Sequence, residues 1–522
     1  MLSEEQHLKA VQLYGSDDAL ALTHDYFAAL QGNALAQASL GYRHFYGYGT
    51  SQSCEAALPY YESAAKQVID TLHEVGVLPM VERMRLSDVS SQGKLQVDND
   101  HEVVSYYKHT ARSGDLAAMK TLGSLYYHGQ RGVQQDLAKA AEYFRRTADG
   151  GDTSAAGSYG EMLQKGLGVE RDYDQALLYL RQGGNESHAL SGMANAYLKG
   201  LGVKKDLQRA ASLYEAATKS RVNPDALFHL GLLAMGEDGS GQGQGKGQVA
   251  SRQKELPAKH DANKAFPLFS SAAQHGHVEA LFRVGQMYSR GEGIAQSCQV
   301  ALLNFKNVVE RGAWSEGLAN AQRLYHAGDK SAALWEYTQL AEAGYEVAQS
   351  NAAWLLEHGE CGQMSKLECE AAALRMYQHS AKQGWAQSSL KVGDFHYYGM
   401  GGLEVDYVKA AQQYHEASEG REGKLPQAMF NLGLMYQHGQ GLKQDFHLAK
   451  RYYDLAAETS MDSRVPVKLA MWSMKLQQME WEMKWDLPAK QDSALILLVL
   501  SFFAVLLRLF RVRSARLLPG IL

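Results

Sequence analysis

Apolar positions return every three or four residues through most of the chain, and the pattern of returns itself repeats. Ala118, Leu122 and Tyr126 stand at i, i+4 and i+8, on one face of a predicted helix. Ala140, Phe144 and Ala148 give a second helix a slim stripe of the same spacing. Between the two runs lie Gly129, Gly132, Val133 and Asp136. The glycines predict a turn, where positive φ is cheap. Asp136 predicts the N-cap of the second helix. Gly123, inside the first helix, leaves room for a neighbouring helix to approach closely.

The unit recurs. Gly132, Gly168 and Gly202 occupy the same place in three successive copies, 36 and 34 residues apart. Each is followed by Val and then Asp (Asp136, Asp172, Asp206) and by alanines and a Tyr or Phe. Further copies run from Leu40 to Ala65, Gly285 to Ala301, Gly393 to Tyr414 and Leu432 to Tyr453. Self-similarity near 35 residues, with two helical patterns per period, predicts an all-α fold: a right-handed α-solenoid of helix-pair repeats. Departures from the period locate the insertions. Residues 1–35 read as an initial helix pair, and 36–234 as repeats broken by a polar, aperiodic loop at 83–102. Residues 235–262, with the Gly/Gln-rich run at 239–247, read as a flexible insertion. Residues 263–384 are partly degenerate repeats, of which 314–344 is short, is read as lacking the turn glycines and is more like an ordinary tetratricopeptide. Residues 385–460 hold the last repeats.

The end of the sequence has a different pattern. Leu469, Trp472, Leu476, Met479 and Met483 follow 3,4 spacing, which predicts an amphipathic helix over 465–487. This stripe has two readings: a cap over the last repeat, or a docking or interfacial helix beside a membrane. Trp481 and Trp485 lie off the stripe and suit an interfacial belt. Ser493 to Leu507 carries no charge, and extension to Phe510 across Arg508 gives eighteen residues. At about 1.5 Å per residue that reaches roughly 27 Å, a thin bilayer. A transmembrane helix is predicted over 493–510. The basic tail at 511–522 and the acids ahead of the helix place the tail in the cytosol and the body on the other side. Met1 to Ala21 shows no signal-peptide pattern. A helix pair begins at once, so an upstream segment is expected.

Composition narrows the chemistry. Nine prolines in 522 residues favour helices, and a net charge of -5 argues against a general nucleic-acid binder. Metalloprotease, redox-dithiol, hydrolase and phosphate-loop motifs are absent from the sequence. The recurrent Gly-x-Gly pairs follow helices and read as turns rather than nucleotide loops. No enzyme activity, cofactor or metal is expected. Cys361 and Cys369, with seven residues between them, are expected to form a local disulfide in an oxidising compartment. Cys54 and Cys298 occupy equivalent repeat positions in two Gln-Ser-Cys sites, and their separation argues against pairing with each other. Asn185-Glu186-Ser187 is a sequon, used if the body is lumenal.

The joint recurrence of Gly-x-Gly-Val-x-x-Asp and paired alanines resembles the Sel-one-like repeat family, relatives of the tetratricopeptide repeats. A closer resemblance covers nearly the whole sequence. It rests on LGYRHFYGYG at 40–49, FKNVVERGAWSE at 305–316, YEVAQSNAAWLLE at 345–357, GDFHYYG at 393–399, QAMFNLG at 427–433 and QDFHLAKRYYDLAAE at 444–458. These segments are similar to the membrane-anchored adaptors of endoplasmic-reticulum-associated degradation. The resemblance implies a non-catalytic scaffold in the endoplasmic reticulum membrane, with lumenal repeats and a cytosolic C-terminus. It implies as partners a RING ubiquitin ligase of the Hrd type, lectin-type substrate receptors and misfolded glycoproteins, with a homodimer possible. The last repeats and the stripe at 469–483 are the expected ligase-contacting part. The alternative class is a soluble or tail-anchored repeat scaffold of another signalling assembly.

Overall fold

A computed structural model describes residues 2–80, 82–87, 95–220, 222–237, 261–420 and 425–486. The described residues form helices and turns, with no strand among them. The protein divides into two compact units at Ala348/Gln349.

The first unit is a succession of antiparallel helix pairs. It comprises α1 (Leu2–Leu13) with α2 (Asp18–Leu30), α3 (Ala34–Tyr46) with α4 (Cys54–Val75), and then the single α5 (Leu95–Arg112). The pairs resume as α6 (Leu116–His128) with α7 (Leu137–Asp149), α8 (Thr153–Lys165) with α9 (Tyr173–Gly183), and α10 (Ser187–Lys199) with α11 (Leu207–Ser220). They continue as α12 (Pro224–Ala234) with α13 (Ala262–Gln274), α14 (Val278–Arg290) with α15 (Cys298–Val309), and α16 (Glu316–His326) with α17 (Lys330–Glu342). Helix α18 (Glu346–Glu357) crosses into the second unit. There it is followed by α19 (Lys366–Lys382), α20 (Ala386–Tyr398) with α21 (Tyr407–Ser418), α22 (Pro426–His438) with α23 (Phe446–Thr459), and α24 (Arg464–Asp486).

The turns form as the sequence reading expects. Gly129 and Gly132 have φ of 67° and 70°. Asp136 caps α7 by accepting a bond from the Lys139 amide. Within most pairs, a glycine of the first helix faces a ring or branched side chain of the second. A Cβ added to Gly123, Gly285, Gly393 or Gly433 meets Phe144, Phe305, Tyr414 or Tyr453 at 3.0, 2.8, 2.6 and 2.5 Å. Alanines of the stripes, such as Ala140, Ala148, Ala155 and Ala156, are fully buried between successive pairs.

Two expectations are corrected. The stretch 83–102 is not wholly loop, because α5 begins at Leu95. It is held by a thin stripe, Val104, Tyr107 and Ala111, packed on Leu122. The repeat at 314–344 does have a turn glycine, Gly328, with φ of 89°.

The beginning of the first unit also packs against elements far along the sequence. Helix α4 lies against α15. Arg43 pairs with Glu342, both buried, and Arg43 lies over the Tyr14 ring. His73 meets Glu279 at 2.7 Å, and Arg85 meets Glu346 at 2.6 Å. Residues 76–80 and 82–87 run as a strap over the first unit. Val77 packs on the cluster around Leu167, the Met80 amide donates to the His128 carbonyl, and Arg83 meets Glu310 at 3.0 Å.

The glycine contact yields a first prediction. Alanine normally gains about 1 kcal/mol over glycine inside a helix. Gly433→Ala should instead lose roughly 1–3 kcal/mol, because the Tyr453 ring must shift. Urea denaturation checks this, and a raised midpoint would contradict it. In the second unit Asp394 accepts a bond from the Tyr414 hydroxyl at 2.8 Å. Burial pushes its carboxyl up to about 6. A raised acid contributes most below the unfolded pKa and loses that contribution as pH rises through the folded one. Asp394→Asn should therefore be near neutral at pH 4 and stabilising by about 1–2 kcal/mol above pH 7. Thermal melts across that range read the difference directly.

Candidate functional site: the outer face of the last helix

Helix α24 has two apolar faces. Val467, Ala470 and Met474 are buried and pack with Met429, Ala449, Tyr453 and Ala456 of α22 and α23. Gln437 donates to Gln477 at 3.1 Å and accepts from the Tyr453 hydroxyl at 2.7 Å, fixing α24 in register. The opposite face is uncovered. Leu469, Trp472, Leu476 and Met479 are 68, 74, 38 and 55% exposed, and Val465 extends the row at 67%. The predicted stripe is therefore real as a helical face, and it points away from the last repeat. Capping is done by a row the sequence reading did not single out. The signal for that row was Val467, Ala470 and Met474, also at 3,4 spacing. Met483 lies within α24, but its side chain is outside the described residues, as are those of Trp481 and Trp485. The predicted membrane segment at 493–510 and the basic tail are also outside them. None of the described helices is long and apolar enough to cross a membrane.

All four cysteines are paired. Cys361 and Cys369 form the expected local disulfide after α18. Cys54 and Cys298 also pair with each other, across 244 residues, against expectation. The expectation took distance along the sequence as distance in space. The two residues begin α4 and α15, behind the N-caps Ser53 and Ser297. Packing of those two helices side by side brings their equivalent starts together.

Asn185 of the sequon is exposed in the turn between α9 and α10. Ser187 is buried, and its hydroxyl donates to the Ala217 carbonyl at 2.8 Å. Glu186 caps α10. Among the described residues no group of three or more His, Cys, Asp or Glu side chains is placed to hold a metal ion.

Helix pairs of this design, joined by Gly-x-Gly turns and locked by glycine–ring contacts, define a Sel1-type repeat scaffold. The Sel1 repeat model matches residues 34–68, 116–152, 153–188, 187–220, 253–277, 278–306, 386–420 and 426–458. The chain belongs to the Sel1 repeat family. Among curated proteins it is similar to "Protein sel-1 homolog 2" of Rattus norvegicus, 35% identical over 89% of this chain and 64% of that protein. It is similar to "ERAD-associated E3 ubiquitin-protein ligase component HRD3B" of Arabidopsis thaliana, 30% identical over 87% of this chain and 66% of that protein. The HRD3A component of the same plant is 42% identical over 32% of this chain and 26% of its own length. The chain thus spans about two thirds of the length of the first two relatives.

The long-range disulfide is directly testable. Peptide mapping without reduction should recover a Cys54–Cys298 cross-linked peptide. Cys298→Ser should lower stability by a few kcal/mol, the usual range for a bridge closing a long loop. Recovery of both thiols free in the oxidised protein would contradict the pairing.

Proposed function

We propose that this protein is a non-catalytic adaptor of a membrane RING ubiquitin ligase of the Hrd type in endoplasmic-reticulum-associated degradation. The observation that carries the reading is the uncovered stripe on α24. Leu469, Trp472, Leu476 and Met479 lie on a helix already held to the repeats by its other face. An exposed Trp and Met row suits burial against a partner. Its last described member, Met479, stands fourteen positions before Ser493, where the apolar run 493–510 begins. In this reading that run anchors the protein in the membrane. The anchor confines the stripe beside the ligase and raises its effective concentration there.

Two further observations support lumenal repeats. All four cysteines are engaged in disulfides, as suits an oxidising compartment. The sequon asparagine is exposed. The buried Ser187 hydroxyl means that a glycan must be added before α10 packs on α11. The names of the plant relatives support the same pathway. In the full reading, lectin-type receptors and misfolded glycoproteins are received by the repeats and the ligase by α24. A homodimer is compatible with this arrangement.

The test uses the full-length protein in cells. Trp472→Glu with Met479→Glu should reduce ligase co-purification at least several-fold. Membrane retention and melting temperature should stay unchanged, because both side chains face outward. Normal co-purification would refute the docking role. A lowered melting temperature would return the stripe to a capping role. Topology is read on the same material: removal of N-linked glycans should speed migration of the wild type but not of Asn185→Gln. Equal migration in every lane would remove the sequon as support for lumenal repeats.

A further inference from the structure

The second half of the strap, residues 82–87, reads Glu-Arg-Met-Arg-Leu-Ser. Its side chains are held by helices that come 227 to 261 positions later in the sequence. Arg85 donates to Glu346, in the first turn of α18, through two parallel bonds of 3.0 and 2.6 Å. Arg83 donates to Glu310, just past the end of α15, at 3.0 Å. Between them the Gln322 amide of α16 donates to the Met84 sulfur. Leu86 is 2% exposed. Three successive side chains are thus each met by a different repeat element, and the fourth is buried. Residues 82–85 carry no regular secondary structure. The segment is tethered at its start, where the Met80 amide donates to the His128 carbonyl and Glu82 accepts from the Arg131 amide at 2.6 Å.

The receiving groups have their own support. Glu310 is paired with Lys306, one turn earlier on α15. Glu346 stands at a helix N-terminus, where a carboxylate is favoured. The three helices are seated by their own buried residues, Phe305 and Val309 of α15, Leu318 and Ala321 of α16, and Ala348 of α18. What holds the strap to them is directional and charge-assisted. A two-bond fork onto a carboxylate fits arginine and not lysine. The Arg83 side chain is 60% exposed, and an ion pair so exposed adds little net stability. Contacts of this kind discriminate between sequences more than they hold a fold together.

We propose that Glu310, Gln322 and Glu346 form a recognition surface for a polypeptide segment of the pattern Arg-x-Arg followed by an apolar residue, and that residues 82–87 occupy it as a built-in competitor. The two carboxylates select a cationic partner and repel phosphates and nucleic acids. The fork at Glu346 selects arginine within that class. A segment of the same pattern on another polypeptide replaces the strap contact for contact, so the exchange costs little enthalpy. The tether sets the threshold. A segment joined to its site by a short chain rebinds at an effective concentration on the order of millimolar. A single free segment therefore competes poorly, and a partner presenting several competes well. The surface lies within the first unit and makes no use of α24, so this proposal and the ligase reading can fail separately.

The experiment uses the full-length protein and a fluorescent peptide of the sequence of residues 82–87, with a second peptide carrying lysine at both arginine positions. Arg83→Ala with Arg85→Ala releases the strap. By anisotropy the arginine peptide should bind this variant roughly tenfold or more tightly than it binds the wild type, because the tethered competitor is gone. The lysine peptide should bind it roughly tenfold or more weakly than the arginine peptide. Adding Glu346→Gln to the released variant should abolish the difference between the peptides. A second readout needs no variant. Hydrogen exchange of residues 82–87 in the wild type should speed up when millimolar arginine peptide is added, and should not respond to the lysine peptide. Equal binding of the two peptides, a difference that survives Glu346→Gln, or exchange unchanged by the arginine peptide would each overturn the proposal. Failure of the released variant to fold would make the strap a structural element and overturn it as well.

Discussion

The spacing between the two helices of each repeat depends on a missing Cβ. In the first helix of a pair, the residue six positions before the C-cap glycine is itself glycine: Gly41, Gly123, Gly160, Gly285, Gly393 and Gly433. Across from it the second helix presents Tyr61, Phe144, Leu180, Phe305, Tyr414 or Tyr453, at distances an added methyl could not share. The pair α10–α11 shows the tolerance. There Ala194 holds the position, and fully buried Tyr214 belongs to the same core cluster. Between pairs, fully buried alanines such as Ala140, Ala148, Ala155 and Ala156 interleave with larger side chains such as Tyr159, Met162 and Leu163. With the second helices and the stripes committed to packing, polar residues on the first helices are free to carry charge.

The return of the backbone onto itself within the first unit rests on a different set of forces. Helix α4 packs on α15, and a disulfide ties their starts together. The ion pairs along this seam should not be counted as a source of stability. Taking Arg43 and Glu342 out of water costs several kcal/mol per ion, and their attraction does little more than offset it. Their effect lies in register. A shift of α3 along α17 would leave two buried charges unanswered, so misaligned packings are strongly disfavoured. Apolar contact and the disulfide hold the seam, and the charges select its alignment.

What was legible in the sequence followed from locality. The helix pairs, the turn glycines, Asp136 as a cap and the local Cys361–Cys369 bridge all depend on residues within one repeat. So did the α24 stripe, whose spacing marked a face. Spacing could not say which of two apolar rows would be covered. Val467, Ala470 and Met474 are smaller or straighter than Trp472 and sit closer to Tyr453 in the packed state, a choice made by fit and not by hydrophobicity. The Cys54–Cys298 pairing was illegible for a related reason. Repeats related by translation bring equivalent positions together only when the backbone doubles back, and the curvature that does so accumulates over many pairs. Helix α5 was missed because, among its described side chains, few apolar ones meet the core: Val104 and Ala111, with Tyr107 partly buried.

The outer row of α24 makes sense only if folding does not need it. The last repeat is already closed by the buried row and by the Gln437–Gln477 bond. Leaving a large apolar side chain exposed forgoes roughly 1.5–3 kcal/mol that burial would return. Val465, Leu469, Trp472, Leu476 and Met479 forgo it together, in one line along one helix. Scattered exposed apolar residues are ordinary, but a contiguous row on an ordered helix is the kind of surface that a partner can bury. Association costs at least several kcal/mol in lost freedom, and a soluble partner would have to offset all of it with this one row. Under the proposed function, a partner held in the same membrane would already have lost much of that freedom. On that reading the row's modest size is sufficient, because the short stretch of sequence between α24 and the apolar run 493–510 would keep the row beside such a partner.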